Sequence, residues 1–137
     1  MKIKICGITE IETLNFLIEN GVDYVGFIFH ENSPRNVTHA FINEIKNIDF
    51  QKTRPVCVFV NPEKSFVNSS LSYFENPIIQ FHGDESEDFC KLFDCEFWKA
   101  LRIKDSKSLE DMKHFKNAQA ILCDTFKEGI YLSLIHI

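Results

Sequence analysis

The chain has 137 residues, 45% of them hydrophobic and 13% aromatic, with 15 basic and 20 acidic side chains and a formal charge of −5. That is enough apolar material for a sizeable core. The lack of a basic run gives no footing to a nucleic-acid partner, and no apolar run approaches the roughly 20 residues of a membrane span. The N-terminus shows no signal-peptide pattern, because Lys2 and Lys4 alternate with isoleucine and no long apolar stretch follows. A cytoplasmic location is the expectation. The five cysteines, Cys6, Cys57, Cys90, Cys95 and Cys123, are odd in number and mostly lie in or beside apolar runs. Reduced thiols serving largely as core fillers are expected, rather than a disulfide framework or a metal site.

In chain order, short β-rich runs recur at "IKIC" (3–6), "YVGFIF" (24–29), "VCVFV" (56–60), "IIQFH" (78–82), "FWKALRI" (97–103) and "AILCD" (120–124). Nearly continuous apolarity is expected of strands covered on both faces. Between them lie five segments with helical spacing. The first, "TEIETLNFLIENG", puts Ile11, Leu14, Leu17 and Ile18 on one face, offers Thr9 as a cap and stops at Gly21. "VTHAFINEIKNI" turns Phe41, Ile42 and Ile45 inward behind a Thr38 cap. "NPEKSFVNSSLSYF", "DESEDFCKLF" and "SKSLEDMKHF" complete the set. The register is βα repeated five times, plus a sixth strand.

Such alternation means a parallel sheet with helices outside it. "CGITE" after the first strand has one glycine and no G-x-G-x-x-G, so a dinucleotide-binding open sheet is a poor fit. An acidic pair of the receiver type is also missing there. A barrel fits better, because Cys6, His30, Asn61, His82, Arg102 and Asp124 follow or close successive strands. In a barrel, those strand ends converge on one mouth.

"KICGIT" (4–9), "DYVGFIFHENSPRNVT" (23–38), "VFVN" (58–61), "QFHGDE" (80–85), "KALRI" (99–103) and "ILCDT" (121–125) follow one another in this order. Together they resemble the phosphoribosylanthranilate isomerase family of tryptophan biosynthesis. The resemblance implies the (βα)8 TIM-barrel family, here as an incomplete barrel of about six strands and five helices. It also implies an Amadori rearrangement of N-(5-phosphoribosyl)anthranilate to a 1-deoxyribulose 5-phosphate, without metal or organic cofactor. By that resemblance Cys6 is the general base and Asp124 the general acid. Arg35 in "SPR" reaches the substrate carboxylate, and His82 and Arg102 line the mouth.

The chemistry suits those residue types. Opening an aminofuranose needs a proton on the ring oxygen, and the resulting iminium acidifies the C2′ proton. A thiolate can take that proton if its surroundings favour the charged sulfur. A carboxylic acid can deliver the first proton if burial or a neighbouring negative charge keeps it protonated. Cys57 and Cys123 are expected in the core, Cys90, Cys95, Phe89 and Phe93 in helix packing, and His30, His39 and His114 at the surface.

The family pattern departs near the C-terminus, where eight βα units would need about 200 residues or more. Residues 1–131 are expected to form a partial barrel domain. The last six, "LSLIHI" (132–137), resemble a translated sequencing adapter and are expected to be non-native. The resemblance implies that units 7 and 8 hold the substrate phosphate, so no residue here is assigned to it. An unclosed barrel leaves strands 1 and 6 as bare edges, so the chain by itself is expected to associate and to be inactive, and its full-length parent to be a monomer or homodimer. The alternative function is a non-catalytic α/β domain that binds a small phosphorylated ligand or a partner chain. A further alternative, indole-glycerol-phosphate synthase, would use lysine and glutamate at its strand ends, which the pairing of Cys6 with Asp124 opposes.

Overall fold

The computed structural model describes residues 1–125. The expected tail at 132–137 and the end of the expected 1–131 domain lie outside the described residues. Six parallel strands, β1 (Lys4–Cys6), β2 (Tyr24–Phe29), β3 (Arg54–Phe59), β4 (Ile78–Phe81), β5 (Phe97–Ile103) and β6 (Ala120–Thr125), stand in sequence order in one sheet. The connecting helices are α1 (Ile11–Glu19), α2 (His39–Ile45), α3 (Lys64–Leu71) and the single turn α4 (Glu87–Cys90). The architecture is the expected α/β one, part of a barrel wall.

Two contacts on the inner face show how strongly the sheet curls. The Lys4 Nζ on β1 donates to Gln80 Oε1 on β4 at 2.6 Å, and the Tyr24 ring on β2 meets the Trp98 ring on β5 edge-on at 4.8 Å. Each pair spans three strand intervals. In a flat sheet that is about 14 Å, with side chains standing parallel to one another. Only a trough with strands bent around an axis lets them touch.

The alternation of side chains then explains the composition. One face of each strand points into the trough, where Ile28, Val56, Val58 and Ile78 pack with Cys6, Tyr24 and Trp98. The other meets the helices, and here the phenylalanines gather: Phe27 with Phe41, Phe50 and Phe74, Phe29 with Phe59 and Phe66, and Phe81 with Phe89, Phe93 and Phe97. Leu14 and Ile18 of α1 and Phe41, Ile42 and Ile45 of α2 are buried against this layer, as their spacing predicts. Burying an aliphatic or phenyl side chain in this way contributes about 1.5–3 kcal/mol.

The Thr38 hydroxyl caps α2 by accepting from Phe41 N at 3.1 Å. Thr9 does not cap α1. The chain is still turning there, with Gly7 N and Ile8 N both donating to Gly26 O, so the helix begins one residue later behind Glu10, without a side-chain cap. The fifth expected helix is a 3-10 helix, Ser106–His114. Its apolar side chains Leu109 and Met112, followed by Phe115, recur every three residues, which suits three residues per turn. None of its residues is buried, so no packing face enforces the wider α winding. Cys57 and Cys90 are buried as expected, but Cys123 is exposed. It lies on β6, which has one strand neighbour among the described residues.

Candidate active site

Cys6 ends β1 on the trough side, and its neighbour in register is Gly26 on β2. A Cβ at position 26 would stand 2.6 Å from Cys6 Sγ, so only glycine there leaves room for the sulfur. Gly7 follows with a φ of +82°, a conformation that β-carbons disfavour. It turns the chain out of the strand and clears space for Arg35, whose Nη1 donates to the Cys6 carbonyl at 2.8 Å. The Arg35 Nε is buried beside this turn with no hydrogen-bond partner among the described residues. Thus β1, β2 and the "SPR" loop bring a free thiol and a guanidinium together.

Across the trough, His82 follows β4 and Asp124 lies in β6. His82 Nε2 and Asp124 Oδ2 are 2.9 Å apart, and His82 Nδ1 lies 3.0 Å from Gln80 Nε2. Asp124 Oδ1 accepts from Thr125 N at 2.8 Å. Each carboxyl oxygen of Asp124 therefore has a hydrogen-bond partner. Burial lowers the His82 pKa by penalising the charged ring, and the adjoining Asp124 only partly opposes this. The imidazole is neutral near pH 7.

Strand periodicity fixes the levels. Lys4 and Cys6 are two residues apart on the same face of β1, and Gln80 and His82 are two apart on the same face along β4. Since Lys4 touches Gln80, Cys6 and the His82–Asp124 pair stand one layer higher, on the same rim. Arg102, level with Asp124 in the β5–β6 register, pairs with Asp84 of the "HGDE" loop at 2.8 Å. His30 is half-buried after β2, with its N donating to Asn36 Oδ1, while His39 and His114 are exposed.

Sequence reasoning overlooked Lys4 and Gln80. The signal was present, since each lies two residues before a singled-out rim residue on a strand. It also passed over the buried pair formed by Lys99 Nζ and Glu85 Oε2 at 2.8 Å on the helix-covered face. Glu85 there accepts from the backbone of Asn61 and Gly83, and so ties the loops after β3 and β4 together. Among the described residues no group of three His, Cys, Asp or Glu side chains is arranged to hold a metal ion. None of the described helices is long and apolar enough to cross a membrane.

A model of the family described as N-(5'-phosphoribosyl)anthranilate (PRA) isomerase matches residues 3–133. The chain belongs to this family. The N-(5'-phosphoribosyl)anthranilate isomerase of Sulfurihydrogenibium sp. is 42% identical over 133 residues, covering 96% of this chain and 64% of that protein. The crystal structure of phosphoribosyl anthranilate isomerase from Thermotoga maritima superposes with a TM-score of 0.84 at 29% identity, covering 95% of this chain and 64% of that one. A further phosphoribosyl anthranilate isomerase structure is a complex with reduced 1-(o-carboxyphenylamino)-1-deoxyribulose 5-phosphate. It matches with a TM-score of 0.82 at 30% identity, over 93% of this chain and 66% of that one. The chain spans less than two thirds of the length of the curated isomerases it matches first.

Proposed function

We propose that the chain carries the acid and base of an isomerase that converts N-(5'-phosphoribosyl)anthranilate to 1-(o-carboxyphenylamino)-1-deoxyribulose 5-phosphate in tryptophan biosynthesis. Family membership supports the reaction. The single observation that carries the site assignment is the rim shared by Cys6 and the His82–Asp124 pair, with the trough between them.

In this reading Asp124 protonates the furanose oxygen and the ring opens to an iminium. The carboxylate left behind is stabilised by Thr125 N–H, and by His82 when its ring proton is on Nε2. Cys6, as thiolate, removes the C2′ proton, and the enolamine tautomerises to the ketone. The Arg35 guanidinium, held on the Cys6 carbonyl, offers the fork that a substrate carboxylate needs. Arg102, paired with Asp84, keeps a cation at the rim for an anionic ligand.

The test uses the chain completed by the part of the Sulfurihydrogenibium relative that the match leaves uncovered. Turnover of N-(5'-phosphoribosyl)anthranilate is followed by loss of its fluorescence. Cys6→Ala and Asp124→Asn are each expected to lower kcat by about 10²–10⁴-fold, with circular dichroism and product affinity retained. Unchanged turnover in Cys6→Ala would overturn the assignment. No turnover by the completed parent would instead favour a domain that binds a phosphorylated ligand without acting on it.

A further inference from the structure

A continuous line of side chains crosses the trough: Lys4 Nζ to Gln80 Oε1 at 2.6 Å, Gln80 Nε2 to His82 Nδ1 at 3.0 Å, and His82 Nε2 to Asp124 Oδ2 at 2.9 Å. Each link has only one workable direction. A lysine ammonium is a donor with no acceptor capacity, so the amide group facing it must be the oxygen. With the Gln80 oxygen taken up by Lys4, its NH2 faces His82, and an NH2 can only donate. Nδ1 must then carry a lone pair. A neutral imidazole has one ring proton, and here it is forced onto Nε2, pointing at Asp124. Rotating the Gln80 amide by half a turn would set NH2 against ammonium, two donors in a half-buried space, so Lys4 blocks the opposite arrangement.

We propose that Lys4 and Gln80 are positioning residues that lock His82 in its Nε2–H tautomer, so that Asp124 Oδ2 always accepts and any proton on Asp124 sits on Oδ1. This rests on the reading of Asp124 as the acid. The consequence is chemical. In the other tautomer His82 Nε2 would accept, and an Asp124 proton would be held on Oδ2 against the histidine, away from a ligand. The locked tautomer leaves the proton on the other oxygen and supplies a donor to the carboxylate once that proton has gone. Burial acts in the same direction, because it keeps the ring neutral and so makes the tautomer a two-way choice.

The tautomer is directly measurable in the completed chain by long-range proton–nitrogen correlation of the histidine rings, with His82→Gln assigning the signal. The parent is expected to show Nε2–H only. Lys4→Met frees the Gln80 amide to rotate, and Gln80→Met removes the donor to Nδ1. Each is expected to give a mixture of tautomers and to lower kcat at least about tenfold, since a wrong tautomer in a comparable carboxylate–histidine pair costs up to ~10⁴. KM is expected to change little, and Lys4→Arg, still a pure donor, should restore both signal and rate. An Nδ1–H signal in the parent would overturn the proposal even if both variants failed to fold. So would an unchanged tautomer and kcat in folded Lys4→Met and Gln80→Met. If instead Asp124→Asn leaves turnover intact while the parent signal is Nε2–H, the acid assignment fails and the tautomer lock stands.

Discussion

The Cys6 sulfur occupies the space that a side chain at position 26 would need, 2.6 Å from where the Cβ of any other residue would stand. Gly26 is in the interior of β2, where a glycine costs backbone entropy and gives nothing to pack. Its presence is explained by the neighbouring thiol. Gly26→Ala is therefore expected to destabilise the fold by about 1–3 kcal/mol through overpacking and to displace Cys6. In the completed chain kcat should fall more than KM rises. Pairing Gly26→Ala with Cys6→Ala removes the tightest contact, the one with the sulfur, and in a double-mutant cycle of denaturation midpoints the two changes should cost less together than their sum.

The thiols should separate cleanly by reactivity. Burial pushes the Cys57 thiol far up and the Cys90 thiol to about 12, and it raises Cys95 as well. Cys123 is exposed and Cys6 half-buried at the rim. Brief treatment with iodoacetamide at pH 8, read by peptide mass spectrometry, should label Cys123 and Cys6 and leave Cys57 and Cys90 unmodified until urea is added. Labelling of Cys57 in the folded chain would contradict the packing described.

A pH dependence follows from His82. Its pKa is lowered in the folded state, chiefly by burial, from an ordinary value of about 6.5. As pH falls below that value the unfolded chain binds the proton and the folded one resists it, so stability drops with falling pH. Above about 6.5 the contribution is fully present. The urea midpoint should decline between pH 7.5 and 5, and His82→Gln should flatten that part of the curve. The carboxylates lowered by their partners, Asp23, Glu87 and Asp105, act at more acidic pH and do not confuse the window.

Lys99 and Glu85 are both almost wholly enclosed. Removing one charge of such a pair leaves the other buried without its counterpart, at a cost of about 3–5 kcal/mol. Lys99→Met is expected to lower the denaturation midpoint by that order. Because Glu85 also holds the backbone of Asn61 and Gly83, Glu85→Gln should loosen the loops after β3 and β4 and speed amide exchange at Gly83. A Lys99→Met chain as stable as the parent would show the pair to be dispensable.

Much of this molecule was legible before any coordinates. Apolar runs of strand length alternating with amphipathic segments dictated a parallel α/β wall, because both faces of each strand had to be covered. The family motifs at 4–9, 23–38 and 80–85 pointed to the rim residues, since a strand end is where a side chain leaves the core and meets a ligand. Helix α2 and its Thr38 cap were also readable, because capping is a local hydrogen bond between neighbours in sequence. Contacts between distant strands were not. Lys4 and Gln80 are 76 residues apart, and only the curvature of the whole sheet brings them into contact. The winding of residues 106–114 and the exposure of Cys123 likewise depended on what packs against them. Pattern along the chain specifies which face a side chain takes, but curvature specifies what it meets there, because closure is a property of the whole sheet and of no single strand.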